Sequence, residues 1–579
     1  MKRCPECRRD YYDDTLLYCL DDGNALLEGP ASGRSEPPAS AGGQFDEPRT
    51  AILHSTAAPN EAATRAQIHT TEQTAVLPSG ITELPKTKGL DKRLLLAPLA
   101  LAVIVAGAFF GYRYLSSETT QIDSIAVLPF QNVGSDPNFE YLSDGIAESL
   151  INSLTQIQQL KVIARNTAFR YKGKDVDAEQ VGRDLSVRAV LTGRVRQVGD
   201  RLNIQVDLVD AVTGAQLWGE EYDRPAADAL SIKQAIAREI TDKLRLRLSG
   251  EQQQQINARE TTNSQAYQFY LRGRFYWNLR STEGIKRAIA EFQQAVDRDP
   301  NYALGYVGLA DSYLLLEEYA GTPISETLPK AKAAVDRALQ IDDSLAEAHT
   351  SLASILQKEW RWAESEQEFR KAIALNPNYP TTHHWFSIYF RIKRQFDDSL
   401  RHIKRAQELD PLSPVISSNV AQIYFIKGDV DTAIGEWEKI IELNPNYTGA
   451  YSNLGIARVI QGRHEEGIAL IEKAATLSDR ASVVLGDLGY SYAVAGRRSE
   501  AFQILKELED RYTRREALGQ YLARVYMGLG DHDKVFEWLE KDFGQRSGLL
   551  LIITSLLQFD NLRSDPRYKD LLKRMNLPE

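Results

Sequence analysis

The first 22 residues of this chain hold all of its cysteines, three in 579 residues. Cys4, Cys7 and Cys19 are followed by Asp22, which gives the spacing C-x2-C-x11-C-x2-D. Zinc ribbons place two such close pairs of ligands around Zn²⁺, which thiolates bind tetrahedrally and for which a carboxylate is an acceptable fourth ligand. A bound metal also stabilises a segment that is too short to bury its own core. The spacing therefore predicts a structural zinc site within residues 1–27.

Two other interpretations of this segment stay open. The thiols can be free on a small turn without metal, or Asp22 can be a surface residue that follows three cysteines. The pattern CPxC followed by YCxxDG resembles the short ribbons at the start of many bacterial multidomain proteins, with Asp22 in place of the usual fourth cysteine. Under each interpretation the segment is small and non-catalytic.

Motifs for phosphoryl transfer or hydrolysis are absent from the sequence. It contains no G-x-x-x-x-G-K-[ST], no G-x-S-x-G, no H-E-x-x-H and no kinase glycine-rich loop with H-R-D. The net charge of −10 and the isoelectric point near 5.6 argue against broad electrostatic capture of nucleic acid. We therefore expect a protein that is not an enzyme and whose partners are not nucleic acids.

Residues 28–90 have the composition of a disordered linker. They contain seven prolines and a single aromatic residue, Phe45, so they cannot bury enough apolar surface to offset the entropy of ordering. A T-A-[IV]-L pattern occurs twice, beginning at Thr50 and at Thr74. Phosphorylation of these threonines would add negative charge to the linker and could create a docking site for a partner. Chance similarity in a segment of biased composition explains the same pattern.

Residues 94–112 form a run of nineteen uncharged, mostly apolar residues. As a helix that rises about 1.5 Å per residue, the run spans roughly 28 Å, close to the hydrocarbon thickness of a bilayer. We predict a single transmembrane helix; a buried helix of a soluble domain is the alternative. Basic residues before the run place the N-terminus in the cytoplasm and the later domains outside the bacterial inner membrane, with the reversed topology as the competing hypothesis.

Residues 122–248 have the pattern of a small α/β domain. Apolar runs of strand length occur at 125–130 and 160–164, and apolar residues at helical spacing between them predict a helix capped by Ser143 or Asp144. Farther along, alternating apolar residues on both sides of Gly199-Asp200 predict a hairpin.

Several segments of this domain follow a known pattern, among them IAVLPF, EYLSDGIAESLINSL, LKVIARN and VLTGRVRQVGDRLNIQVDLVDAVTGAQLW. Together they resemble the TolB amino-terminal-domain-like (FlgO-like) module. Such modules typically follow a membrane helix and precede repeats in bacterial sensors and membrane-bound regulators. The resemblance implies a domain that faces a ligand or partner and is not an enzyme.

A 34-residue period runs through the second half of the chain. Pro377, Pro411 and Pro445 are separated by that interval, and extending the register predicts eight two-helix units with one insertion near 319–325. Small residues recur where the two helices of a unit would cross. The pattern resembles tetratricopeptide repeats, which implies an α-solenoid over 264–579 with a C-terminal cap and a concave groove.

The first helices of such repeats line a groove that binds peptides or protein segments. Seven side chains on these helices are our candidates for an exposed, partner-binding face: Tyr306, Tyr313, His349, His383, Tyr424, Asn453 and Arg458. The pair His383-His384 also suggests a metal site, but no carboxylate or cysteine cluster stands at ligand spacing, which favours a packed or solvated pair.

The sequence thus predicts a multidomain, mainly α protein: a short zinc ribbon, one transmembrane helix, a small α/β domain and a tetratricopeptide solenoid. We interpret it as a membrane-anchored scaffold or sensor that binds protein partners through its groove. The competing hypothesis is a membrane-tethered transcription or signalling regulator whose cytoplasmic ribbon contacts DNA or the transcription machinery. Lys2 and Arg3 allow DNA binding, whereas Asp21 and Asp22 oppose it.

Overall fold

The computed structural model describes residues 2–3, 10–11, 27–28, 122–133, 139–244 and 261–578. The chain divides into two compact units, residues 1–97 and 98–579. In the first unit, strands β1 (Lys2–Arg3), β2 (Asp10–Tyr11) and β3 (Leu27–Glu28) pair antiparallel in the order β2-β1-β3.

Several predicted features fall outside the described residues. They are the zinc ligands Cys4, Cys7, Cys19 and Asp22, the threonines Thr50 and Thr74, and the apolar run 94–112. Within the ranges that are described, no helix has both the length and the apolar character needed to cross a bilayer. The membrane helix and the zinc site therefore stay predictions.

The α/β region is built on a mixed sheet. Its strands are β4 (Ser124–Val127), β5 (Gln131–Asn132), β6 (Lys161–Val162), β7 (Ala189–Val198), β8 (Arg201–Asp210) and β9 (Gln216–Pro225). They lie in the order β6-β4-β7-β8-β9, with β5 beside β7. Strand β4 pairs parallel with β6 and β7, whereas β7, β8 and β9 form an antiparallel meander. The predicted hairpin is confirmed, since β7 and β8 are joined by Gly199 and Asp200.

The described part of this region, 122–133 and 139–244, contains four α-helices: α1 (Glu140–Leu154), α2 (Arg165–Ala168), α3 (Ala178–Leu185) and α4 (Ala229–Lys243). The predicted cap of α1 at Ser143 or Asp144 is wrong, because the helix already begins at Glu140. Both side chains are instead buried on the helix. The Ser143 hydroxyl donates to the Glu140 carbonyl (3.0 Å), and Asp144 forms an ion pair with Lys172 (Oδ2 to Nζ 2.6 Å).

The second half of the described chain consists of eight pairs of adjacent helices, the number that the 34-residue period predicts. The pairs are α5 (Ser264–Asn278) with α6 (Thr282–Arg298), α7 (Ala303–Ala320) with α8 (Ile324–Ile341), α9 (Ala346–Lys358) with α10 (Trp362–Leu375), α11 (Pro380–Ile392) with α12 (Phe396–Leu409), α13 (Pro414–Ile426) with α14 (Val430–Leu443), α15 (Thr448–Ile460) with α16 (His464–Leu477), α17 (Ser482–Val494) with α18 (Arg498–Thr513), and α19 (Gly519–Leu529) with α20 (His532–Gly544). Two 3₁₀ segments, Gly548–Ser555 and Leu557–Leu562, and helix α21 (Pro566–Arg574) follow. The predicted insertion lengthens α7 and α8 to 18 residues each, against 13 in α9.

The turn inside each of the later pairs uses a left-handed residue at the same register. Gly428, Gly462, Gly496 and Gly530 are 34 residues apart and have φ between 78° and 90°. Glycine adopts this conformation without the steric penalty that a Cβ brings, and it ends the first helix of the pair. The 34-residue period is therefore fixed by a backbone requirement as well as by packing.

Small residues let the two helices of a pair approach closely, as the sequence pattern predicts. A Cβ on Gly455 of α15 would stand 2.4 Å from Ile471 Cγ1 of α16. A Cβ on Gly467 of α16 would stand 2.5 Å from the carbonyl oxygen of Gly455. Backbone thus touches backbone at this crossing, and a larger residue would push the helices apart.

Substitution of Gly467 by Ala is expected to lower the free energy of unfolding by about 1–3 kcal/mol, because the added methyl group has no space at the crossing. The matched control is Gly435→Ala in α14, where nothing lies within 4 Å of the position that a Cβ would take. That change is expected to stabilise the protein by about 0.5–1 kcal/mol through helix propensity. Urea denaturation of both variants measures the difference, and equal effects at the two positions would contradict the packing argument.

The α/β region is joined to the repeats by both apolar and polar contacts. Asp410, in the turn after α12, is 1% exposed and accepts hydrogen bonds from Asn166 Nδ2 (2.9 Å) and from the Thr167 amide and hydroxyl (3.0 and 2.7 Å). Asn378 Nδ2, in the turn after α10, donates to the Leu160 carbonyl (3.2 Å). Asp410 and Asn378 lie in the Asp-Pro and Asn-Pro turns that follow the second helices of the repeats. These turns therefore also bind the α/β region.

The array also closes on itself. Glu317 of α7 accepts the amide of Gly548 (Oε1, 2.9 Å) and the ammonium of Lys358 (Oε2, 3.1 Å). The indole of Trp362 donates to the carbonyl of Met575 (2.9 Å). These bonds, which we call the closing contact, join the second and third helix pairs to the C-terminal segment.

Candidate functional site

A group of polar and aromatic side chains converges from helix pairs that are far apart in sequence. Electrostatic effects, in addition to burial, link several members in pairs: Arg391 and Arg280 lower the pKa of His384, whereas Tyr319 and Glu318 raise the pKa of Tyr447. We call this group the inner cleft. Its members are Arg280, Glu318, Tyr319, His384, Arg391 and Tyr447, together with Asn419 and Gln422, which bond to them.

Arg391 of α11 is the most unusual member, because it is a buried cation without a counterion. The residue is 7% exposed, and its Nε has no hydrogen-bond partner. Nη1 donates to the amide oxygens of Gln422 and Asn419, the latter at 3.3 Å. Among the described residues, no carboxylate forms an ion pair with it. Burial lowers the pKa of Arg391 to about 10, so the guanidinium still carries its charge at neutral pH.

The amide of Asn419 links Arg391 to His384. While its Oδ1 accepts from Arg391, its Nδ2 donates to the Val415 carbonyl (2.9 Å) and faces His384 Nε2 at 3.4 Å. Because Nδ2 can only donate, His384 Nε2 accepts, and the ring proton resides on Nδ1. Burial, reinforced by the positive charges of Arg391 and Arg280, lowers the pKa of His384 to about 4. The ring is therefore a neutral hydrogen-bond donor at pH 7.

Arg280, just after α5, brings a second guanidinium to the cleft. The residue is exposed, and its guanidinium carbon lies 3.6 Å from the centroid of the Trp277 ring. No described carboxylate forms an ion pair with it. The carboxylates of Glu318 and Asp311 act on its charge, and Glu318 is itself solvent-accessible.

One end of the cleft carries a second acidic group. Asp311 of α7 is 4% exposed and accepts a hydrogen bond from the Ser351 hydroxyl (2.5 Å). Burial raises the pKa of Asp311 to about 6, against the opposing effects of Ser351, Arg274 and Arg280. Asp311 therefore adds a carboxyl group that interacts with the charges of Arg274 and Arg280.

Two of the predicted groove residues do not face a partner. His349 is 3% exposed, and its ring bonds to the Asp343 carbonyl (Nε2, 2.8 Å) and to Glu368. His383 is 6% exposed, and its ring bonds to the Pro377 carbonyl (Nε2, 3.1 Å) and to His402. The expectation that both are exposed is wrong. Each ring instead forms a hydrogen bond to a backbone carbonyl in the turn before its own helix.

Metal binding at these histidines gains no support. In the part of the chain that the structure describes, no group of three or more His, Cys, Asp or Glu side chains could hold a metal ion. His383 and His402 approach each other (Nδ1 to Nδ1 3.3 Å) without a third ligand. His383 thus packs against His402 of α12 and not against its neighbour His384.

The other five predicted groove residues are half-buried. Tyr306 and Tyr313 pack against the apolar core of the first repeats, and Tyr424 packs against the core of the middle repeats. Arg458 forms an ion pair with Glu438 (Nη2 to Oε1 3.0 Å). Asn453 Nδ2 donates to the hydroxyl of Ser418 (3.1 Å).

Sequence reasoning missed Arg280, Arg391 and the role of His384. A signal for Arg391 exists in the repeat register: the residues 34, 68, 102 and 136 positions later are Phe425, Val459, Ala493 and Met527, all apolar and buried. An arginine at a repeat position that is apolar in the later units indicates that the side chain of Arg391 has a role of its own. Arg280 has no such signal, because the first unit departs from the common pattern.

Family models match two regions of the chain. The model described as the second domain of HilA/YgeH-like transcriptional regulators matches residues 120–240, which cover the α/β region. A tetratricopeptide-repeat model matches residues 421–482. Together with the eight helix pairs, the second match supports an array of tetratricopeptide repeats beside a small α/β region. The TolB-like resemblance gains no support from these matches.

Individual relatives resemble parts of the chain. "Putative adenylate cyclase 3" of Rhizobium meliloti (strain 1021) is 34% identical over 249 residues, which are 42% of this chain and 42% of that protein. Among solved structures, pilF of Pseudomonas aeruginosa is 20% identical and covers 36% of this chain and 94% of its own, with a TM-score of 0.28. A monomeric mutant of IFIT1 with Gppp-AAAA is 15% identical and covers 61% of this chain and 86% of its own, with a TM-score of 0.41. The structural likenesses concern the repeat fold alone.

Proposed function

We propose that this protein is a non-enzymatic scaffold or sensor that binds a segment of a partner protein in the inner cleft. The observation that supports this best is Arg391, a buried guanidinium with an unpaired Nε and no ion-pair partner among the described residues. An isolated buried charge is costly to the folded protein unless a ligand neutralises it. Half-buried Tyr447 and accessible Arg280 offer the mixed aromatic and polar lining through which binding surfaces gain specificity.

The α/β region is proposed to act as the ligand- or partner-facing module of the same scaffold. Its hydrogen bonds to Asp410 and Asn378, in the turns between helix pairs, support this. A conformational change in the α/β region would shift these turns and the helices next to them. We further propose that residues 94–112 anchor the protein in the bacterial inner membrane. In this proposal the N-terminal segment is cytoplasmic and binds zinc, and the two later domains lie outside.

A regulatory role is the second candidate function. The match of residues 120–240 to a domain of HilA/YgeH-like transcriptional regulators supports it. In this proposal the protein is a membrane-tethered regulator whose N-terminal ribbon contacts DNA or the transcription machinery. DNA binding by the full-length protein with a steep salt dependence would favour this candidate.

Site-specific photo-crosslinking in cells tests the scaffold function. A benzophenone amino acid replaces Tyr447 in the cleft or, as matched control, Phe502, which is 50% exposed on α18. We expect a discrete cross-linked partner only from position 447, because a segment bound in the cleft lies within reach of that side chain alone. Equal cross-linking from both positions, or none from position 447, would contradict the proposal.

A further inference from the structure

The fourth helix pair holds two histidine rings in direct contact. His383 of α11 is 6% exposed, and its Nδ1 lies 3.3 Å from Nδ1 of half-buried His402 on α12. His383 Nε2 lies 3.1 Å from the carbonyl oxygen of Pro377. Because a carbonyl oxygen only accepts, Nε2 carries the proton of neutral His383, its Nδ1 accepts, and His402 Nδ1 donates. The bond between the rings therefore requires that one Nδ1 carries no proton.

The third helix pair has the same arrangement with a different second partner. His349 lies 34 residues before His383, and its Nε2 bonds to the Asp343 carbonyl (2.8 Å). Its Nδ1 bonds to Glu368, which lies 34 residues before His402. A glutamate accepts from a protonated ring and neutralises its charge, whereas a second protonated histidine does neither. The two helix pairs are therefore expected to respond differently to acid.

The charges near the two rings do not compensate a protonated pair. Among the described residues, neither ring forms an ion pair with a carboxylate. Burial lowers the pKa of His383, and burial reinforced by His383 and Arg401 lowers the pKa of His402 to about 4. Helix α13, which follows α12, contains no charged residue. The charged side chains that act on the rings are Asp398, Arg401, Arg405 and Glu408 of α12 and Arg370 of α10. Both carboxylates of this set are already paired with arginines of α12.

The turn that His383 contacts also binds the α/β region. Asn378 follows Pro377 in this turn, and its Nδ2 donates to the Leu160 carbonyl (3.2 Å). Its Oδ1 accepts from Arg405 Nη2 (3.1 Å), the arginine that acts on the charge of His383. A displacement of the His383 ring would therefore disturb the turn that holds the α/β region.

We infer that the pair of His383 and His402 is an acid-sensitive latch, which releases the α/β region from the turn at Asn378 when both rings become protonated. Two protonated rings place N–H against N–H at a distance of 3.3 Å, so the rings must separate. Neutral rings keep the latch closed at pH 7. The inference does not depend on what the inner cleft binds, so it can fail while the proposed function stands.

The direction of the pH effect follows from the lowered pKa values of both rings. A ring that is released takes up a proton near its ordinary pKa of 6.5, whereas the closed latch resists that proton. The closed state therefore loses stability as the pH falls from 6.5 towards 4. Each ring should favour release by about tenfold or more at pH 5 relative to pH 7.

Hydrogen exchange on the purified full-length protein, in a mild detergent, tests the latch. Exchange is measured at pH 7 and pH 5 and is corrected for the intrinsic effect of pH on amide exchange. We expect the protection of residues 155–168 to fall by about tenfold or more at pH 5, while that of helix α17 changes by less than about threefold. Unchanged protection of 155–168, or an equal loss in α17, would overturn the inference.

His402→Glu is the decisive variant, because it gives the fourth pair the partner that Glu368 provides in the third. Its protection at 155–168 should differ by less than about threefold between pH 7 and pH 5. If circular dichroism shows that this variant is unfolded, His402→Gln replaces it, since an amide can donate to a neutral ring and accept from a protonated one. The matched control is His464→Gln on α16, which removes a half-buried histidine elsewhere. It should keep the wild-type response, and loss of the response in this control would count against the latch.

Asp410 provides the competing explanation for release in acid. It accepts from the Thr167 hydroxyl of the α/β region (2.7 Å), and burial raises its pKa. Protonation of Asp410 would weaken that attachment without any change at the histidines. A fall in protection that persists in His402→Glu and in His402→Gln would assign the release to Asp410 and overturn the inference.

Discussion

Glu148→Gln is expected to lower the free energy of unfolding by about 3–5 kcal/mol, the typical cost of breaking a buried ion pair. Glu148 of α1 forms ion pairs with Arg274 of α5 (Oε1 to Nη2 2.6 Å) and with Arg165 of α2 (Oε2 to Nε 2.8 Å). Its side chain is 4% exposed, and Asn278 Nδ2 donates to it at 2.9 Å. A glutamine has no charge, so two guanidinium groups would be left without compensation where the α/β region meets the first repeat.

The control for this prediction is Glu140→Gln, which removes the same charge from the start of the same helix. Glu140 pairs with Lys172 where both side chains are about one third exposed (32% and 37%), so its loss should cost less than about 1 kcal/mol. Guanidinium chloride denaturation of both variants measures the difference. Similar losses for the two variants would show that the buried ion pairs of Glu148 stabilise the protein no more than the exposed pair of Glu140 does.

The effect of Glu148→Gln is also expected to depend on pH. Burial raises the pKa of Glu148, but the charges and hydrogen bonds of Arg274 and Arg165 outweigh burial and hold it below the ordinary 4.5. A carboxyl group whose pKa is lowered by folding stabilises the folded protein above its unfolded pKa and loses that contribution as the pH falls through the folded value. The difference between the wild type and the variant should therefore be full at pH 7 and shrink below about pH 4.5.

Glu317→Ala is expected to open the closing contact. Glu317 is 4% exposed and accepts hydrogen bonds from the Gly548 amide, the Ser547 hydroxyl (3.2 Å) and Lys358. Removing the carboxylate leaves the Lys358 ammonium and a buried amide unpaired, which should cost about 3–5 kcal/mol. Hydrogen exchange should accelerate at 547–562, and small-angle scattering should show a larger radius of gyration.

The matched control is Glu326→Ala, which removes a carboxylate that links the second helix pair to the turn between the seventh and eighth pairs. Glu326 pairs with Arg515, but both side chains are more than half exposed (54% and 70%), so the expected loss is below about 1 kcal/mol. The closing contact would be dispensable if Glu317→Ala left both the scattering curve and the exchange at 547–562 unchanged.

The parts of the fold that repeat were predictable from the sequence, because they obey local rules. A 34-residue spacing of prolines and of left-handed glycines such as Gly462 and Gly496 forces helix pairs of fixed length. Alternating apolar residues on β8 likewise predict a strand with one buried face, and Leu202 and Ile204 are fully buried. The start of α1 was not predictable to the residue, because no side-chain cap marks it.

The inner cleft was not predictable in the same way. Arg280, Glu318 and His384 belong to the first, second and fourth helix pairs. Which side chains of different pairs come together depends on the small rotations between successive pairs, which no local pattern encodes. The assignment of His349 and His383 to an exposed face failed for a related reason. Register identifies the helix that carries a residue, but not whether its ring turns back to bond the preceding turn, as both rings do.

The bond between Glu317 and Gly548 joins residues that are 231 positions apart. A solenoid whose repeats contact only their neighbours can unravel from either end. Here the C-terminal segment is held by a buried carboxylate of the second helix pair, so fraying of that segment would also expose the early repeats. The last and the second repeats are therefore expected to unfold in one cooperative step.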